Sequence, residues 1–278
     1  RPWPHRAPTA RERSLCSGRL LKELRQCSPR VVLALGRVAM QALAPEKRSI
    51  EQEHGVAFWS QELSTWVVPS VHPAAILRGS SKFRYQDLLE AVRTASRIHD
   101  TGKPLGTTGV AMPCVHLLET KEDLDRIASR IAGTPVVVDV EASSRQEPLS
   151  MAICLDEKEV FLLMGEALEA FAHLPAVQRG LEIIGHNAKY DVQLLWKMGI
   201  PARIVGDTLL SSYVLDERPG VHGLKELARR RYQVSDWSVE VKPYIERMEE
   251  APKDLLIRYN ALDAFYTRRL YRDLGEEL

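Results

Sequence analysis

A chain of 278 residues with 45% hydrophobic content has enough apolar material for two domains of ordinary size, and no apolar run reaches the roughly 18 residues of a membrane-spanning helix. The formal charge of +1 conceals an asymmetry. Residues 1–100 carry 16 Lys and Arg against 9 Asp and Glu, a balance of +7, and the remainder carries 22 against 28, a balance of −6. The front part is therefore suited to phosphate and the rear to cations, unless both are simply solvated faces. Cys16, Cys27, Cys114 and Cys154 show no CxxC spacing, so reduced intracellular thiols are expected. The first residue is Arg1, not Met, which leads us to expect a segment of a longer polypeptide.

In chain order, Arg1 to Pro8 is rich in proline and basic residues and reads as a loop. Leu15, Leu20, Leu21 and Leu24 at helical spacing predict an amphipathic helix from Thr9 to Gln26, with Thr9 as N-cap and Glu12 completing a capping box. Val31 to Leu35 reads as a buried strand, Gly36 as a turn, Arg37 to Leu43 as a short helix and Trp66 to Pro69 as another strand. A helix from about Phe83 to Ile98 closes an α/β unit. His72, before Pro73 at a strand-to-helix loop, has a plain reading as a helix cap, while Arg78, Lys82 and Arg84 favour phosphate contact.

These residues carry a resemblance. Val31 to Gly36, the stretch around His54-Gly55, and Val68-Pro-Ser-Val-His-Pro-Ala-Ala-Ile-Leu-Arg78 resemble the C-terminal half of the iron-sulfur type uracil-DNA glycosylases. The resemblance implies that His72-Pro73-Ala74 lies at a lesion pocket and contacts DNA, and that Cys16 occupies the place of the last cluster cysteine. His5 stands where that family has Asn. The family's other cluster cysteines and its water-activating loop would lie upstream of Arg1, and one cysteine cannot hold a 4Fe-4S cluster that needs about four ligands. A cluster is thus expected only in a longer parent chain, no base excision is expected within this segment, and Cys16 also reads as an ordinary buried thiol.

Asp100 to Pro113 lacks periodicity, contains three glycines and reads as a linker, dividing the chain into a partial domain, 1–99, and a second domain, 114–278. A strand near Val115 to Leu117 and a helix from about Lys121 to Ala132 follow. Thr134 to Glu141, Met151 to Leu155 and Val160 to Leu163 read as three consecutive strands. The first ends in Asp139 and Glu141, which share one strand face because they are two residues apart. Alone, such a pair is a metal site or a solvated strand end. His186-Asn187-Ala-Lys189-Tyr190-Asp191 opens a helical segment, placing Asn187 and Asp191 one turn apart, with Asn187 also readable as an N-cap. His186 and His222 read as turn or capping residues. Asp254 to Leu274 is a long periodic helix that sets Tyr259 and Asp263 on one face, where Tyr259 also has a reading as a core tyrosine.

The order D-x-E, N-x-x-x-D, Y-x-x-x-D closely resembles the three motifs of the tyrosine-bearing DEDD 3′-5′ exonucleases of the family A DNA polymerase proofreading type. Gly206 to Leu215 and His222 to Ala228 resemble the helices between that family's second and third motifs. The resemblance covers roughly Val115 to the C-terminus and implies a ribonuclease H-like (DnaQ-like) α/β fold. It implies further that two Mg²⁺ or Mn²⁺ ions bind Asp139, Glu141, Asp191 and Asp263, and that Tyr259 orients the attacking water. Hard oxygen ligands without His or Cys suit those ions. Asn187, Lys189 and Tyr190 fall at substrate-side positions. The family's apolar wedge after D-x-E is absent, leaving Leu149 or Met151 for that part. Single-stranded or frayed DNA is the expected substrate, a fused or associated DNA polymerase the expected partner, and the cytoplasm the expected setting. The alternatives are an exoribonuclease of the ribonuclease D type and a non-catalytic uracil or DNA recognition module.

Overall fold

A computed structural model describes residues 7–44, 49–79, 85–104, 112–217 and 220–278. Contacts divide the chain into two units, Arg1–Ala111 with Arg229–Asp236, and Met112–Ala228 with Trp237–Leu278. His5, Lys82, Phe83 and Arg84, with half of the expected linker, lie outside the described residues.

The first unit opens with α1 (Ala10–Cys27), where Thr9 Oγ1 accepts from the Glu12 N–H at 3.3 Å and Glu12 Oε2 accepts from the Thr9 N–H at 2.7 Å. This is the expected capping box. Strands β1 (Val31–Leu35), β2 (Phe58–Ser60) and β3 (Thr65–Ser70) form a sheet in the order β1-β3-β2, with β1 parallel and β2 antiparallel to β3. Between them run α2 (Arg37–Leu43) and α3 (Ile50–Glu53), and after them α4 (Pro73–Leu77) and α5 (Tyr85–Thr101). One sheet face packs Val68 and Ala57 on Ala91, Ala95 and Ile98 of α5, and the other packs Ala34, Phe58 and Val67 against Ala39 and Leu43. Helix α5 continues past the expected Ile98 to Thr101, so regular structure enters the expected linker. The unit is completed by residues distant in sequence: Gln233 Oε1 accepts from the Ala57 N–H at 3.3 Å, and Arg229 donates to the His54 carbonyl.

The second unit is built on six strands, β4 (Cys114–Leu118), β5 (Val136–Ala142), β6 (Pro148–Cys154), β7 (Glu159–Met164), β8 (Leu181–Gly185) and β9 (Ala202–Asp207), in the order β4-β7-β6-β5-β8-β9. β5, β6 and β7 are the three consecutive strands expected from sequence and run antiparallel, as the family resemblance implies, and β8 and β9 extend the sheet from β5 in parallel. This is a ribonuclease H-like α/β arrangement. The helices that follow β4 are α6 (Asp125–Ala128), α7 (Gly165–Phe171), α8 (Pro175–Gln178), α9 (Lys189–Lys197), α10 (Thr208–Leu215), α11 (Leu224–Tyr232), whose residues from Arg229 on count with the first unit, and α12 (Lys253–Glu277).

The helix expected over Lys121 to Ala132 is shorter. Asp123 Oδ2 accepts from the Glu119 and Thr120 N–H groups, both at 3.1 Å, fixing a 3₁₀ turn over Lys121–Leu124 before one α-helical turn ends at Ala128. On β5, Val136, Val138 and Val140 are buried in the main core with Ile127 and Phe171. Each such valine contributes roughly 1.5–3 kcal/mol by leaving water. The alternate positions Asp139 and Glu141 therefore look out of the opposite face, the one on which α12 lies.

Candidate active site

The pleat of β5 and the turn of α12 bring three carboxylates together. Asp139, Glu141 and Asp263 each offer one oxygen, and these oxygens lie within 4.8 Å of one another. Among the described residues no other group of three or more His, Cys, Asp or Glu is so arranged. Burial and the charges of Asp263, Glu141 and Asp191 push the Asp139 carboxyl well above the usual carboxylate range. Burial, then Asp263, pushes Glu141 up to about 8.

The contacts that hold these acids are equally specific. Asn260 Nδ2 donates to the Asp139 carboxylate at 2.5 Å and to the Asp139 carbonyl at 3.0 Å, while Ser150 Oγ donates to Asn260 Oδ1 at 2.9 Å and so fixes the amide's orientation. Trp237 Nε1 donates to Asp263 Oδ1 at 2.7 Å. The Lys225 ammonium, carried by α11, donates to Asp263 Oδ2 and, at 3.0 Å, to the Tyr259 hydroxyl. Burial, then Asp263, raises the Tyr259 phenol far above its ordinary value, so the hydroxyl stays protonated at neutral pH.

Asp191 is 5% exposed in the first turn of α9 and stands outside the tight trio. Its Oδ1 accepts from the Val140 N–H at 2.9 Å, which ties α9 to the strand bearing Asp139 and Glu141, and burial pushes its carboxyl up to about 7. Asn187 departs from the expected geometry. It lies outside α9 at φ +65°, and the capping position belongs to Ala188. Asp207 supplies the acceptors instead, receiving the N–H groups of Asn187 at 3.1 Å and Ala188 at 2.9 Å. Gly185 makes this tight turn possible, since a Cβ there would fall 2.8 Å from the Ala188 Cβ. Asn187, Lys189 and Tyr190 all face solvent.

Met151, one of two expected stand-ins for the wedge, is fully buried and cannot reach a substrate; Leu149 is only partly buried and packs, like Tyr259, against the cluster of Val241, Met248 and Leu256. His222 lies in the turn just before α11, as expected, and is buried at 2% exposure with its Nδ1 2.9 Å from Ser212 Oγ. In the first unit, His72 Nδ1 accepts from the Ala74 N–H at 3.1 Å and caps α4, and Arg78 is exposed. Cys16 is a free, exposed thiol, contrary to its reading as a buried one. Sequence reasoning missed Lys225, Asn260 and Trp237. Asn260 lies within the third motif and Lys225 within the His222 helix, so their places were in view without their partners; Trp237 carried no signal.

The family model described as 3′-5′ exonuclease matches residues 115–278. The chain belongs to that family. The exonuclease is preceded by a stretch, residues 1–95, that matches the uracil DNA glycosylase superfamily model. The DNA polymerase of Escherichia phage T5 is 28% identical over 211 residues, covering 64% of this chain and 24% of that protein. DNA polymerase I of Aquifex aeolicus is 25% identical over 170 residues, covering 57% and 27%. The chain thus spans about a quarter of the length of these polymerases. Among solved structures, Escherichia coli RNase D aligns with 15% identity and a TM-score of 0.45 over 59% of this chain and 44% of that one.

The exonuclease's donor set also fits divalent metal. Three hard oxygens lie close together, no His or Cys belongs to the group among the described residues, and the carboxylates' mutual repulsion calls for positive charge. Among the described residues, no helix is long and apolar enough to cross a membrane.

Proposed function

We propose that this exonuclease removes nucleotides from the 3′ end of single-stranded or frayed DNA, releasing nucleoside 5′-monophosphates, and proofreads for a DNA polymerase carried by or associated with a longer chain. The observation that carries this reading is the convergence of Asp139, Glu141 and Asp263 within 4.8 Å beside Tyr259, inside the segment matched to the 3′-5′ exonuclease family. The polymerase relatives support DNA as substrate and a polymerase as partner.

Asp139, Glu141, Asp191 and Asp263 would hold two Mg²⁺ or Mn²⁺ ions, which supply charge neutralisation to the entering and leaving oxygens of an in-line displacement. Asn260 keeps the Asp139 carboxylate aimed across the site. Asp191 braces β5 through the Val140 amide. Tyr259, protonated at working pH, presents a hydroxyl that would orient the attacking water together with Glu141. Asn187, Lys189 and Tyr190, exposed at the entrance to α9, contact the substrate strand. In the front unit, His72 and Arg78 contact DNA without base excision, and Cys16 would ligate a 4Fe-4S cluster only in a chain that supplies the remaining thiolates.

The test is digestion of labelled DNA with a mismatched 3′ end and of its RNA counterpart, with Mg²⁺, Mn²⁺ or chelator, by the wild type and by an Asp139→Ala, Glu141→Ala double mutant. Metal-dependent laddering of DNA that disappears in the mutant is expected. Preference for RNA would make the enzyme an exoribonuclease, and equal inactivity of both proteins with uracil-DNA binding retained would leave a recognition module.

A further inference from the structure

The carboxylate trio already has a cation of its own. The Lys225 ammonium donates to Asp263 Oδ2 and to the Tyr259 hydroxyl at 3.0 Å, and its nitrogen lies 4.4 Å from the centroid of the Tyr259 ring and 5.5 Å from that of Trp237. Its side chain is 21% exposed and that of Asp263 7%, so the pair sits where water screens it weakly. Asp263 has its two oxygens divided: Oδ1 takes the Trp237 N–H at 2.7 Å and Oδ2 takes Lys225. Trp237 therefore holds one oxygen in place while the other is the exchangeable one. Lys225 comes from α11, whereas the acids come from β5 and α12, so the ammonium can move without disturbing the strand or helix that carries them.

We propose that Lys225 is an intrinsic counter-ion that competes with divalent metal for Asp263 and, in the same contact, restrains the Tyr259 hydroxyl. Lys225 must leave Asp263 Oδ2 before that oxygen can serve a metal, and leaving it frees the Tyr259 hydroxyl for water. Metal loading and release of the tyrosine are thereby one event. Lys225 is a positioning residue in this scheme: its charge holds the emptied site together and sets a threshold for metal occupancy. The inference rests on the metal-binding reading of the trio.

The test compares wild type, Lys225→Met and Lys225→Arg for Mn²⁺ binding at pH 8 by titration calorimetry and by the electron paramagnetic resonance signal of free Mn²⁺, without substrate. Lys225→Met should bind Mn²⁺ about tenfold more tightly, the order expected when a unit charge is removed a few ångströms from a weakly screened site. Its melting temperature without metal should fall, and the gain on adding Mn²⁺ should be larger than in wild type. Lys225→Arg, which keeps the charge, should bind Mn²⁺ more weakly than Lys225→Met. A purely structural lysine would lower the melting temperature and leave metal affinity where it was. Unchanged or weaker Mn²⁺ binding by a folded Lys225→Met would overturn the role of Lys225 alone, whereas wild-type protein that binds no Mn²⁺ would overturn the metal reading with it.

Discussion

Asp139 carries a conflict between function and stability. Its carboxylate is crowded by Asp263 and Glu141, so without a cation its charge opposes folding, and the Asn260 amide relieves only part of that cost. Asp139→Asn keeps the shape and an oxygen acceptor for Asn260 while removing the charge. The variant should gain about 1–2 kcal/mol of stability at pH 8 in chelator by urea unfolding, and lose at least about a hundredfold in nuclease rate. A second residue ties stability to pH. Burial lowers the His186 imidazole to about 4, and its Nδ1 lies 2.8 Å from Thr208 Oγ1. A histidine depressed by folding contributes stability above its unfolded value near 6.5, lost as pH falls toward 4. Between pH 7.5 and 5, wild type should lose on the order of 2 kcal/mol more than His186→Asn in urea titrations. Equal slopes for the two proteins would refute this.

At the scale of elements, one carboxylate starts two helices. Asp207 Oδ1 accepts from Leu209 at 2.9 Å and Leu210 at 3.4 Å at the head of α10, and its two oxygens also take the Asn187 and Ala188 amides before α9. An ordinary N-cap is worth about 1 kcal/mol. Asp207→Ala should cost about 2–3 kcal/mol in chemical denaturation, because amides on both helices lose their acceptor together. This shared cap explains why the start of α9 was misread. From sequence, Asn187 is a good capping residue in the right place, and nothing nearby reveals that an acid twenty positions later has taken over. Where capping is local the sequence sufficed, as at Thr9 and Glu12. The helix after β4 failed in the opposite direction, since helical periodicity over Lys121 to Ala132 did not outweigh the local bonds of Asp123.

For the whole molecule, metal should act as a stabilising ligand. A cation that binds the folded site and not the unfolded chain stabilises by mass action, about 2.7 kcal/mol at a hundredfold excess over its dissociation constant. Millimolar Mn²⁺ should therefore raise the melting temperature of wild type, and should leave that of Asp139→Ala, Glu141→Ala unchanged. The two units also differ in how much sequence order tells about them. The expected division at residues 100–113 was drawn from composition, but the first unit includes residues 229–236, whose Gln233 and Arg229 bond Ala57 and His54. No periodicity or linker signal reports a pairing across more than 170 positions.

The sequence by itself determined which residues share a face. A period of two sets Asp139 beside Glu141 on β5, and a spacing of four sets Tyr259 beside Asp263 on α12, because backbone geometry alone dictates both. With the order of the motifs, that was enough to reach the family and the acids. Only the tertiary structure decided which faces meet. It laid α12 over β5 so that Asn260 holds Asp139, brought Trp237 and Lys225 to opposite oxygens of Asp263, and left Asp191 bonded to the Val140 amide outside the tight trio. Those contacts join separate elements, and their geometry follows from how the apolar faces pack rather than from the spacing of residues along any one of them.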